Sequence, residues 1–124
     1  MNNLSQVSLF EAAENGDREE VRRHIEGGFD INAVDPEDSY TAVLLAAECG
    51  KIGVEQDLVA AGADVDARDS FGRSALYAAA VAGHVDVDNY LCHAGADAKL
   101  KDEDGRTAFW ACCALRFIDV AEAL

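Results

Sequence analysis

Residues 69–95, DSFGRSALYAAAVAGHVDVDNYLCHAG, read as a complete structural phrase: a turn, a short helix, a stop, a second helix and a second stop. The turn is Asp69-Ser-Phe-Gly-Arg-Ser74, in which Gly72 supplies the backbone angles a tight turn needs. Ser74 is placed to cap the orphan N–H groups of the helix that follows. That helix is short and rich in alanine, and it ends at Gly83, because glycine tolerates the left-handed C-cap conformation. A second helix is expected from about Val85 to Cys92, closing at Gly95. One such unit cannot bury its apolar face alone, whereas stacked neighbours can.

The phrase recurs along the chain. Ala12-Ala-Glu-Asn-Gly16, Ala46-Ala-Glu-Cys-Gly50 and Ala79-Ala-Val-Ala-Gly83 align, with glycines 34 and then 33 residues apart. A second glycine series, Gly28, Gly62 and Gly95, follows each of these by twelve residues. Its members belong to similar phrases: Gly-Gly-Phe-Asp-Ile-Asn, Gly-Ala-Asp-Val-Asp and Gly-Ala-Asp-Ala-Lys. The turn also returns as Asp102-Glu-Asp-Gly-Arg-Thr107, again 33 residues on, and Thr41 and Thr107 stand where Ser74 stands. A fixed period of this length marks a stacked repeat architecture.

A period of 33 carrying G-A-D-V, A-A-x-x-G and Gly83-His84 resembles the ankyrin repeat, over nearly the whole chain from about Leu4 to Leu124. The resemblance implies an all-α fold: a solenoid of stacked helix-turn-helix units with projecting turns. We expect one domain over residues 1–124, with units at about 4–34, 35–68, 69–101 and 102–124. The resemblance also implies a protein-binding module whose turns and first helices line a concave groove.

Several positions depart from the family pattern. Its T-P-L-H phrase becomes Thr41-Ala-Val-Leu44, Ser74-Ala-Leu-Tyr77 and Thr107-Ala-Phe-Trp110, with Val7-Ser-Leu-Phe10 in the first unit. The histidine that ties neighbouring turns is thus replaced, so looser turns held by hydrophobic contact are expected. The second turn, Asp35-Pro-Glu-Asp-Ser-Tyr-Thr41, is one residue longer and lacks glycine, so it is expected to project differently. The fourth unit has Leu115-Arg116 in place of the glycine. Glu55 and Asp88 occupy positions where the family places a core-facing valine, as Val21 does in the first unit. A buried, unpaired carboxylate is costly. The expectation is therefore a small helix rotation that brings both acids to water. A weakened variant is one alternative; a site for a metal, a proton switch or a cationic partner is another.

Composition narrows the function. The chain has 124 residues, half of them hydrophobic and only 7% aromatic, which suits one domain of closely packed small side chains. Ten basic residues against 24 acidic ones give a net charge of −14, which repels nucleic acid and anionic membranes. The favoured partner is another protein, with a basic patch. The start of the chain lacks a basic, apolar leader, and no stretch approaches the ~18 apolar residues of a membrane helix. A monomer in the cytoplasm or nucleus is expected, with Cys49, Cys92, Cys112 and Cys113 reduced and structural.

No chemistry is legible. His24, His84 and His93 stand in no recognised catalytic phrase, and G-x-S-x-G, the P-loop and H-E-x-x-H are absent. Asp102-Glu-Asp-Gly105 lacks the closing glutamate of a calcium loop. We therefore expect no catalytic residue, no metal and no cofactor. His24 is expected half-buried, His93 on an outer face, and His84 packed or bonded to nearby backbone.

By the resemblance, specificity lies with Tyr40, Ser70, Phe71, Arg73, Val81, Glu103, Asp104 and Arg106. Phe71 and Tyr40 stand out as aromatics at turn tips, where exposure without a use is costly and binding hot spots are enriched. Arg73 and Arg106 are basic points in an acidic field, able either to clamp a carboxylate or to neutralise nearby acids. Two other readings stay open. One is a structural or engineered scaffold without a native partner. The other is a substrate of an asparaginyl hydroxylase at Asn32, which resembles the modified ankyrin asparagine but equally suits a turn-stabilising role.

Overall fold

The computed structural model describes residues 2–35 and 39–108. Six helices run in chain order: α1 (Asn2–Asn15), α2 (Arg18–Glu26), α3 (Ala42–Cys49), α4 (Ile52–Ala60), α5 (Ala75–Ala82) and α6 (Val85–His93). Each consecutive pair packs together, α1 on α2, α3 on α4 and α5 on α6. The first helices form one row, α1·α3·α5, and the second helices another, α2·α4·α6. This is the all-α stack that the repeats imply. The helices expected of the fourth unit, with Trp110, Cys112, Cys113 and Leu115, lie outside the described residues.

The helix boundaries follow from local chemistry. Thr41 and Ser74 cap their helices through side-chain oxygens that accept the amides of Leu44 and Tyr77, at 3.3 and 3.2 Å. Gly50 and Gly83 end those helices in the left-handed region, at φ 72° and 79°. Within the first row, Ala42, Ala46 and Ala47 on α3 and Ala75, Ala79 and Ala80 on α5 are buried, and side chains this small suit the close packing of the two helices. Val21, Val54, Leu58, Val87 and Leu91 fill the space beneath the second row.

The turns are bonded to one another rather than loose. Asp30, Asp64 and Asp97 each accept the amide two residues on, at 2.9 Å, which shapes every Gly-x-Asp phrase. The residue that follows then reaches the next unit. Asn32 Oδ1 accepts the Asp64 amide and Asp66 Oδ1 accepts the Asp97 amide, both at 2.8 Å. Farther out, the Glu103 amide donates to the Phe71 carbonyl at 2.9 Å. Leu44 and Tyr77, which stand at the histidine position, are buried in the hydrophobic core, and these backbone-directed bonds add ties between the turns.

The long second turn closes like the others. Asp35 N donates to Tyr40 O at 2.8 Å, as Asp69 N does to Arg73 O and Asp102 N to Arg106 O. Ser39 adopts φ 58° and so takes the left-handed place held by Gly72 and Gly105. Residues 36–38, which carry the extra length, lie outside the described residues.

Glu55 departs from expectation. Its side chain on α4 is 0% exposed, and neither carboxylate oxygen has a hydrogen-bond partner. The expected rotation does not bring it to water. Burial alone pushes its carboxyl up to about 8. Asp88, one unit on, is only half-buried, and the Cys92 thiol lies 3.9 Å from its Oδ1. His24 is buried, more deeply than expected, beside the Phe29 ring. His93 is exposed, and His84 Nε2 donates to the Glu48 carbonyl at 3.0 Å.

Candidate binding groove

Asp69 organises the centre of the surface formed by the turns and first helices. Its side chain is 2% exposed, and Oδ1 accepts the amides of Phe71 and Arg73, both at 2.9 Å. Oδ2 accepts from the Arg73 guanidinium, 2.9 Å from Nε and 2.8 Å from Nη2. Nη2 also donates to the Tyr40 hydroxyl at 3.2 Å, which joins the second and third turns. The Arg73 guanidinium lies over the Phe71 ring, 5.1 Å from its centre, a cation–π distance. Burial works against the charge of Arg73, but the bond to Asp69 and its negative charge outweigh it and raise the arginine pKa.

Around this cluster lie two adjoining depressions. The first is a cleft of about 130 Å³ between the second and third units, floored by Leu44, Tyr77 and Ala78 and edged by Tyr40, Glu48, Arg73 and Val81. The second, of about 300 Å³, lies between the third and fourth turns, beside Phe71, Asp102, Glu103, Asp104 and Arg106. Arg73, Tyr77 and Val81 border both. Phe71 and Val81 are 53% and 52% exposed, so two large apolar side chains of the second depression face solvent, Val81 on its border with the first.

The electrostatics of the groove are acidic. Burial, and next the negative charge of Glu48, raise the pKa of the Tyr40 phenol. Burial, then Glu14 and Glu48, likewise push the Cys49 thiol up. Asp102 is held below the usual carboxylate range, first by the Arg106 amide and also by the Tyr77 hydroxyl. Tyr77 thus gives its position a polar reach towards the next turn. Together the two depressions carry five carboxylates, on Glu48, Asp69, Asp102, Glu103 and Asp104, against two guanidiniums, on Arg73 and Arg106.

Of the residues singled out in the sequence, Tyr40, Phe71, Arg73, Val81, Glu103, Asp104 and Arg106 line one or both depressions. Ser70 is exposed at the turn but lines neither of the two. Arg73 is bonded to Asp69 within its own turn and so neutralises a nearby acid. Sequence reasoning missed Asp69 as the organiser; the signal was the Asp-x-x-Gly-Arg spacing, which sets the guanidinium four residues from the carboxylate. Asn32 is exposed, with its side-chain oxygen engaged by Asp64.

Among the described residues no group of three or more His, Cys, Asp or Glu side chains is placed to hold a metal ion. Both described thiols, Cys49 and Cys92, are raised in pKa, foremost by burial, which disfavours a thiolate nucleophile. No described helix is long and apolar enough to cross a membrane. A sequence model of ankyrin repeats, in 3 copies, matches residues 9–102 and 53–124. No curated protein matches the chain.

Proposed function

The chain belongs to the ankyrin-repeat family, and on that premise we propose that it is a binding module that holds another protein in the groove over its turns and first helices. Ankyrin repeats in general are non-catalytic protein–protein interaction modules. The observation that carries the reading is the pair Phe71 and Val81, both more than half exposed and adjoining the acidic depressions. An exposed aromatic held in place by a guanidinium loses little freedom on binding, which suits it to anchor a contact. The excess of carboxylates in the lining favours a partner with a basic patch, and rim charge of this kind sets association rate and salt dependence. The module acts as a monomer in the cytoplasm or nucleus.

The test is affinity capture from the source cell with this chain as bait. The control is a Phe71→Ala, Val81→Ser double variant; both side chains are exposed, so the fold survives the change. A partner retained by the parent chain and lost by the folded variant supports the groove. Equal capture by both places binding elsewhere. Capture by neither favours a structural role.

A further inference from the structure

Resting on the groove reading above, we infer that the cleft between the second and third units is a subsite for a single long cationic side chain, lysine or arginine, presented by the partner. The floor of the cleft is apolar, built from buried Leu44 and Tyr77 with half-buried Ala78, and exposed Val81 stands at its edge. Its edge carries Glu48, an exposed carboxylate that accepts the Tyr40 hydroxyl but takes part in none of the ion pairs among the described residues, so its charge is not neutralised. The guanidinium whose charge Glu48 does sense, Arg73, is bonded to Asp69 instead.

Three kinds of side chain could enter such a cleft, and two fit badly. An acidic one meets Glu48 and finds Arg73 with Nε and Nη2 already engaged by Asp69 and Tyr40. A wholly apolar one covers the floor but strips water from Glu48 and returns nothing for it. A lysine or arginine satisfies both surfaces: its methylene stem lies on the apolar floor while the charged head meets Glu48 and the edge of Tyr40. Glu48 lies against the cleft edge at Tyr40, whose phenol pKa is raised first by burial and next by the Glu48 charge. The same cleft is bounded by Val81, so a partner seated on the apolar edge at Phe71 and Val81 has this subsite beside it.

The probes are four capped heptapeptides of glycine, serine and alanine, with a central arginine, lysine, citrulline or norleucine. Each is titrated into the isotopically labelled full chain and followed by amide shifts in NMR. The arginine and lysine peptides are expected to shift the amides of Tyr40, Glu48, Ala78 and Val81. Citrulline keeps the shape of arginine without its charge, and norleucine keeps the stem of lysine. Both are expected to bind about fivefold more weakly, the loss typical of one exposed ion pair. Glu48→Gln, at an exposed position, is expected to erase that difference. Equal binding by arginine and citrulline overturns the subsite, as does an unchanged preference in Glu48→Gln. Shifts confined to another face, or no binding by any peptide, overturn it equally. None of these outcomes touches the wider reading, which fails separately if Phe71→Ala, Val81→Ser retains the captured partner.

Discussion

Replacing Glu55 with leucine is expected to stabilise the protein, and the gain is expected to depend on pH in a defined way. The carboxyl is fully buried, has no hydrogen-bond partner, and is shifted by burial from 4.5 to about 8. Because its folded value is raised, its contribution to stability is complete below the unfolded value of 4.5 and is lost as pH rises towards about 8. Across that window the folded chain binds the proton more tightly than the unfolded chain, so stability falls by about 1.4 kcal/mol per pH unit. By pH 7 the accumulated loss is about 3 kcal/mol, a large part of the ~5–15 kcal/mol that holds a typical domain together. Above about 8 the folded carboxyl ionises too and the loss levels off. The helices packed against α4 carry buried His24, on α2, and half-buried Asp88, on α6, yet burial is the cause of the Glu55 shift. The assay is urea unfolding followed by far-ultraviolet circular dichroism at pH 5, 6, 7, 8 and 9, for the parent chain, Glu55→Leu and Glu55→Gln. The stability difference between Glu55→Leu and the parent should grow with pH up to about 8 and then stay level. A difference that is constant over the whole range would show that Glu55 reaches water and refute the argument.

Other substitutions follow from the same contacts. Asp88→Val should raise the melting temperature less than Glu55→Leu does, because Asp88 is only half-buried. Asp69→Ala removes the acceptor for two amides and leaves Arg73 without its ion pair, so chemical unfolding should show a loss of about 2–4 kcal/mol. Gly50→Ala should destabilise more than Gly83→Ala in the same experiment. Both positions are left-handed, at φ 72° and 79°, and that alone costs ~1–2 kcal/mol. Only at Gly50 would the added Cβ fall 2.6 Å from the His84 ring, whereas at Gly83 it meets nothing within 4 Å. Asp57 is held below its usual value, chiefly by the Arg18 hydrogen bond, so its contribution is present above 3.8 and lost as pH falls. Asp57→Asn should therefore flatten the acid side of the stability profile.

The architecture was legible because its punctuation is written in single residues. Gly50 and Gly83 end helices, Thr41 and Ser74 start them, and the 33-residue spacing of these signals sets the stack. The acidic groove was legible in part, since the repeat register places Tyr40 and Arg73 at equivalent turn positions, with Phe71 two residues before Arg73. What the sequence concealed are matters of rotation and reach. Spacing locates Glu55 on a second helix but leaves open whether a few degrees of rotation bring it to water. The turn signal was sought as glycine, and Ser39 meets the same left-handed requirement without one. Arg73 reads in one dimension as able either to clamp a carboxylate or to neutralise an acid, and the folded turn brings Asp69 against it. The ties between units through Asn32 and Asp66 were likewise concealed, because each spans about one repeat and ends on a backbone amide.

The central claim, that the groove holds another protein, is tested most directly by photo-crosslinking in the source cell. A benzophenone side chain replaces Phe71 in one chain and exposed Arg22, on the second-helix row, in another. Crosslinking of a distinct protein from position 71, weaker at high salt and absent from position 22, is the predicted result. Crosslinks from position 22 alone, or none from either, would contradict the account.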